Sequence, residues 1–221
     1  MEERNIDNVM EILQNHYHTH PQPLVSRDKW EMIPKTPYTV LISCLLSLRT
    51  KDEVTEEASK RLLTEYHTPQ KMVTLSDIHI QQLIYPAGFY KVKAKRIKDI
   101  SQTLIDSYNG KVPYNMDDLL SIKGIGRKTA NIVMVYGHNK TDYLPIDTHC
   151  HRIPNRIGWI NTKTPEETEI ALKKILPKTY WKTFNHLFVT FGQTICTPIS
   201  PFCSKCPVES YCQKKNVKKH R

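Results

Sequence analysis

The chain has 221 residues, 39% apolar and 24% charged, with no low-complexity tract, which is the composition of a folded protein and excludes a disordered one. Lysine and arginine number 32 against 22 aspartates and glutamates, a net charge of +10 that points to a polyanionic partner. No apolar run reaches the roughly 18–20 residues of a bilayer span, and the acidic opening Met1-Glu2-Glu3-Arg4-Asn5 is not a secretory signal. A soluble protein of the cytoplasm or nucleoid is therefore expected.

Along the chain the apolar spacing is helical nearly everywhere. Thr36-Pro37 offers an N-cap with proline at the first helical position, and Val40, Leu41, Cys44, Leu45 and Leu48 trace one face of the helix that follows. Thr50 to Glu53 reads as a capping box for a helix through Leu62. Ile80, Leu83 and Ile84 mark a short helix ending near Pro86. A longer one runs from Lys93 to Tyr108 and is stopped by Asn109-Gly110. Residues 117–121 form a short helix, Ile122-Lys123-Gly124-Ile125-Gly126 a tight turn, and 127–136 a helix closed by Gly137. Asp147 is a natural N-cap for a helix over 148–156, which Pro154 should kink or end early. Thr164-Pro165-Glu166-Glu167 opens another. Phe184, Leu187, Phe188 and Phe191 form a core stripe. Strand-like alternation is hardly found, so the fold class is all-α.

Several residues carry chemical signals. The glycines Gly124 and Gly126 allow positive φ and a close approach of backbone to another surface. The turn either only links two helices or, through its N–H groups and the following helix N-terminus, makes an anion site suited to a DNA phosphate, a reading that Lys123, Arg127 and Lys128 favour. The run Lys91-Val92-Lys93-Ala94-Lys95-Arg96-Ile97-Lys98 holds five cations in eight residues, and 213–221 five in nine; each is either a solvated face or a phosphate-binding one. Cys44 and Cys150 sit alone in apolar segments as buried small hydrophobes. Cys196, Cys203, Cys206 and Cys212 fall within 17 residues, and in a reducing compartment they point to zinc or an iron–sulfur cluster, not to disulfides. In Asp147-x-His149-x-His151 only Asp147 and His151 share a helix face, so no metal is expected there.

Ile122-Lys123-Gly124-Ile125-Gly126-Arg127-Lys128-Thr129-Ala130 closely resembles the helix-hairpin-helix of the endonuclease III family of DNA base-excision glycosylases. Pro145-Ile146-Asp147-Thr148-His149 resembles that family's catalytic Asp segment, and Cys196-x6-Cys203-x2-Cys206-x5-Cys212 its iron–sulfur loop. Leu45-Leu46-Ser47-Leu48-Arg49-Thr50-Lys51-Asp52 and Gly88-Phe89-Tyr90-Lys91-Val92-Lys93-Ala94 match further segments in order, so the resemblance covers about residues 30–212.

The resemblance implies a bifunctional DNA glycosylase and AP lyase that removes oxidised pyrimidines from duplex DNA and cleaves 3′ to the abasic site by β-elimination. Lys128 takes the position of the Schiff-base nucleophile, its amine made more acidic by the helix N-terminus, Arg127 and partial desolvation. Asp147 takes that of the carboxylate that accepts the amine proton or stabilises a cationic sugar. His149 becomes an orienting or DNA-side residue, and the four cysteines ligands of a [4Fe–4S] cluster with Lys205 between two of them meeting DNA. Flipping the base leaves a hole for wedge residues at Arg49 and Phe89. Arg49 departs from the common glutamine and Lys123 from a common proline. Two domains are implied, residues 29–140 as a six-helix barrel and 1–28 with 141–221 as the cluster domain, with the active-site cleft between them in a monomer. The alternatives are a monofunctional mismatch (G·T/G·U) glycosylase using water, and a non-catalytic DNA-binding module.

Overall fold

A computed structural model describes residues 5–18, 24–27, 30 and 32–221, with the side chain of Val25 left aside. Side-chain caps start many of its helices. After α1 (Ile6–Tyr17), α2 (Pro37–Ser47) opens with a reciprocal box in which Thr36 Oγ1 accepts from the Thr39 N–H and Thr39 Oγ1 from the Thr36 N–H. From Tyr38 to Leu46 every residue of α2 is buried, so it is a central helix with no solvent face. α3 (Asp52–Leu63) lacks the expected box: its N-cap is Lys51, and the Thr50 hydroxyl is taken by more distant partners, Lys93 and Gly88. α4 (Pro69–Val73) and α5 (Asp77–Ile84) are capped by Thr68 and Ser76.

α6 (Tyr90–Tyr108) begins three residues before Lys93, and Asn109 and Gly110, both at positive φ, end it. α7 (Met116–Ser121) and α8 (Arg127–Ile132) flank the glycine turn. The single helix expected over 127–136 instead widens into a π-helical turn, Val133–Gly137, where His138 N–H reaches Val133 O. A Cβ on Gly137 would lie 2.9 Å from Pro37 Cα, so glycine permits the close approach to α2.

α9 (Thr148–Ile157) corrects the expectation of an early end at Pro154. Pro154 neither ends it early nor stops it before Gly158, which closes the helix at φ 97°. α10 (Pro165–Ile175) follows Thr164, and α11 (Trp181–Thr194) carries the aromatic stripe. Phe184, Phe188 and Phe191 are fully buried, with the first two rings stacked at 4.1 Å. Each such burial contributes about 1.5–3 kcal/mol.

Among the described residues there is no strand, and the fold is all-α. The chain forms two compact units, Gln22–Lys140 with α2 to α8, and Met1–Pro21 with Thr141–Arg221, which hold α1, α9 to α11 and the cysteine loop. The resemblance implies a first boundary at 28/29; residues 19–23, 28–29 and 31 around it lie outside the described residues. No helix among the described residues is long and apolar enough to cross a membrane.

Candidate active site

In the unit Gln22–Lys140, the hairpin turn is pinned from below by Ile122 and Ile125, 2% and 5% exposed, while Lys123, Gly124, Gly126 and Arg127 face solvent. The two glycines differ. Gly124 sits at φ 99°, a left-handed position that requires glycine. Gly126 lies at φ −93° and a Cβ there would meet nothing within 4 Å, so positive φ is not what it provides. It supplies no side-chain acceptor to the first turn of α8, and its bare surface is open to an approaching anion. A Cβ on Gly124 would lie 3.1 Å from Arg96 Cδ, which brings a third cation from α6 to the turn beside Lys123 and Arg127.

Lys128 is the second residue of α8 and is half-buried. It faces α2: burial pushes the Cys44 thiol up, the Lys128 charge pulls it back, and the thiol donates to Thr129 Oγ1 at 3.7 Å. Cys44 and Cys150 are both fully buried small side chains.

Arg49 and Phe89, far apart in sequence, come together. The Arg49 guanidinium lies 5.5 Å from the Phe89 ring centroid, both residues are exposed, and both have left-handed backbone, at φ 53° and 57°. Beneath them the basic run on α6 departs from both sequence readings at Lys93, which is only 6% exposed. Its ammonium donates at 2.7 Å to Leu46 O, Leu48 O and Thr50 Oγ1. Lys91, Lys95 and Arg96 do face solvent.

In the other unit, Asp147 caps α9: Oδ1 accepts from the N–H groups of His149 and Cys150, each at 2.8 Å. His149 turns its ring inward, where a Cβ on Gly192 of α11 would overlap it. An arginine only donates, so the 3.0 Å contact from Arg152 Nη2 makes His149 Nδ1 the acceptor and places the ring proton on Nε2. His151 instead bonds Thr168 Oγ1 at 2.7 Å, which separates the two histidines.

The four sequence-predicted cysteines all line one pocket with about 380 Å³ of atom-free space, part of it open to solvent, walled by Ile153, Phe191, Ile195 and Val208. All four are free thiols. Among the described residues no three His, Cys, Asp or Glu side chains form a group that could hold a single metal ion. Burial pushes the Cys206 thiol up to about 11, and the neighbouring cysteines Cys212, Cys196 and Cys203 push the same way. Burial likewise raises Cys203 and Cys212. Such thiols stay protonated unless a cation is held among them. Lys205 stands exposed on the loop.

Two arginines that the sequence reading passed over organise this loop. Arg152 Nη2 donates to Cys196 O at 2.7 Å. Arg156, buried, donates to Thr197 O and Pro198 O at 2.7 Å and to Cys196 Sγ at 3.4 Å. Their signal was present as two arginines one turn apart on the helix that follows Asp147.

The family model described as HhH-GPD superfamily base excision DNA repair protein matches residues 42–178. The chain belongs to this family. Within the HhH-GPD superfamily it is 48% identical over 177 residues to Endonuclease III of Thermotoga maritima, a match covering 80% of this chain and 83% of that one. It is 42% identical over 183 residues to the chloroplastic Endonuclease III homolog 1 of Arabidopsis thaliana, covering 79% of this chain and 48% of that longer protein. A solved non-covalent Endonuclease III–DNA complex superposes with a TM-score of 0.81 at 30% identity over 97% of both chains. A trapped Endonuclease III–DNA covalent intermediate gives 0.79, also at 30% identity over 97% of both. A thermostable thymine-DNA glycosylase gives 0.79 at 22% identity over 96% of both, which shows a shared fold alone. The chain is thus a DNA glycosylase/AP lyase of base excision repair.

Proposed function

We propose that the chain excises oxidised pyrimidines from duplex DNA through a Schiff base on Lys128 and then nicks the strand on the 3′ side. The observation that carries this reading is the position of Lys128, half-buried in the first turn of the helix that leaves the hairpin. The Nζ lone pair attacks C1′ as the C1′–N bond to the damaged base breaks, and the base leaves with that electron pair and takes up a proton. Loss of the amine proton and opening of the C1′–O4′ bond, with O4′ protonated, give the C1′=N linkage. Removal of a C2′ proton then forms the C2′=C3′ double bond and expels the 3′ phosphate with its electron pair. Asp147, fixed as a cap, is the carboxylate that takes the amine proton.

Arg49, Phe89, Lys123, Gly124, Gly126, Arg127 and Lys205 serve as DNA contacts, with Arg49 and Phe89 as the wedge. His149, its ring engaged by Arg152, orients α9. Cys196, Cys203, Cys206 and Cys212 would hold a [4Fe–4S] cluster, supported by the four-thiol donor set, the shared pocket and the N–H donors at sulfur from Arg156 and Lys214. When bound, the cluster supplies a charge-compensating cross-link for the loop. The enzyme acts as a monomer.

The deciding experiment is borohydride trapping on duplexes carrying single pyrimidine lesions. A covalent adduct in the wild type, absent in Lys128→Ala together with base release, is expected. Base release with no adduct overturns the reading in favour of water as nucleophile, and binding without base release or cleavage leaves only a DNA-binding module.

A further inference from the structure

The last carbonyls of a helix have no partner within it. At the end of α2 those of Leu46 and Leu48 both go to the ammonium of Lys93, and its third N–H goes to the Thr50 hydroxyl. Three donors meet three acceptors. The Thr50 hydroxyl also accepts from the Gly88 N–H at 3.0 Å, and a Cβ on Gly88 would overlap the Arg49 carbonyl, so the two turns touch backbone to backbone. The Phe89 turn is tied to Lys93 through the first backbone bond of α6, from the Lys93 N–H to Phe89 O at 3.0 Å, so the ammonium anchored at the Arg49 turn rises one helical turn from Phe89.

Both turns need holding. Left-handed backbone is costly for a non-glycine residue and persists only where the surroundings over-determine it. Arg49 and Phe89 adopt it side by side, and Phe89 leaves 60% of its surface in water. Their own side chains bury too little to fix them. A buried ammonium is itself costly, and an apolar side chain of the same length would fill the space between α2 and α6 at lower cost. What the ammonium adds is the bonding of the two turns.

We propose that Lys93 is the positioning residue of the DNA wedge, bonding the Arg49 turn to the Phe89 turn so that both side chains enter the duplex as one rigid unit. The inference rests on the reading of Arg49 and Phe89 as the wedge. Lys93 itself touches neither DNA nor the reacting atoms. It acts on the step that opens the helix and leaves the covalent chemistry at Lys128 alone.

The test compares two substrates, a lesion-bearing duplex, which must be opened, and a single-stranded abasic oligonucleotide, which must not. Lys93→Met is expected to lower kcat/KM on the duplex by on the order of 10²-fold while strand cleavage of the single strand stays within about 2-fold. Lys93→Arg, which keeps donors and charge, recovers part of the loss. Fluorescence of 2-aminopurine placed opposite the lesion reads helix opening directly and is lost in parallel. If Lys93→Met folds, judged by its melting curve, and changes both substrates equally or neither, the inference is overturned. Should Lys93→Met not fold, Thr50→Val removes the shared hydroxyl and is read by the same ratio: a selective loss on the duplex supports the role of Lys93, and equal or absent effects overturn it. Phe89→Ala separates the layers: an unchanged ratio there removes the wedge reading, whereas a lowered ratio there with an unchanged one in Lys93→Met removes only the role of Lys93.

Discussion

Arg156 Nη1 lies 3.4 Å from Cys196 Sγ and donates to it. The same guanidinium holds the Thr197 and Pro198 carbonyls, each at 2.7 Å, so one buried side chain fixes the loop at its first cysteine. Arg156→Met leaves those acceptors without a donor and is expected to cost about 2–3 kcal/mol in a denaturant melt. It is also expected to lower the iron bound per polypeptide, read by metal analysis and visible absorption. Arg156→Lys recovers little of either, because an ammonium lacks the planar fork. Iron content equal to the wild type in Arg156→Met would count against the loop's dependence on this residue.

Asp147 combines a cap with a charge, and substitution separates the two. Asparagine caps a helix about as well as aspartate, so Asp147→Asn is expected to melt within about 0.5 kcal/mol of the wild type while glycosylase kcat falls by roughly 10²–10⁴. Asp147→Ala loses the cap too and drops about 1 kcal/mol further. Full activity in Asp147→Asn would show that capping alone is required of this residue.

The hairpin glycines separate fold from contact. Gly126→Ala meets nothing within 4 Å and keeps an ordinary φ, so its melting curve should match the wild type. Its affinity for undamaged duplex should nevertheless fall, because a methyl group then stands where the backbone approaches a phosphate. Gly124→Ala, at φ 99°, should lose stability as well. Unchanged DNA affinity in Gly126→Ala, measured across a salt series, would move the phosphate contact away from this turn.

Lys93 gives the molecule a titration of its own. Burial brings its ammonium down to about 8, with the α2 carbonyls at 2.7 Å working the other way. An unfolded lysine titrates near ~10.4. Between those values the folded chain binds fewer protons than the unfolded one, so this residue's contribution to stability grows as pH rises through the window and is lost as pH falls through about 8. Lys93→Met should remove that component from the pH dependence of the melt. Over the same window the neutral amine keeps two donors for three acceptors, and the ratio of duplex to single-strand activity should fall in the wild type but not in Lys93→Met. Taking the ratio cancels whatever pH dependence the two substrates share.

The legible features were local ones. Thr36-Pro37 and the Phe184–Phe191 stripe declare themselves within a few residues, because capping and burial act over one or two helical turns. Cys196, Cys203, Cys206 and Cys212 were found by spacing, and they do line one pocket. Lys93 was hidden among four other cations, since its acceptors lie 43 to 47 residues away and nothing near it marks it as buried. The same distance misled the reading of Thr50, whose hydroxyl looked like a local cap but serves Lys93 and Gly88. The π turn after α8 has no local signal either; it coincides with the close approach of Gly137 to Pro37.

Helix α9 is ten residues long, about 15 Å of nearly incompressible rod. Asp147 rides at its leading end, and Arg152 and Arg156 fasten its trailing half to the thiol pocket. Asp147 and the pocket that gathers the four cysteines are therefore joined through one helix. A loop loosened at Cys196 is expected to be felt at the Asp147 end of the same helix.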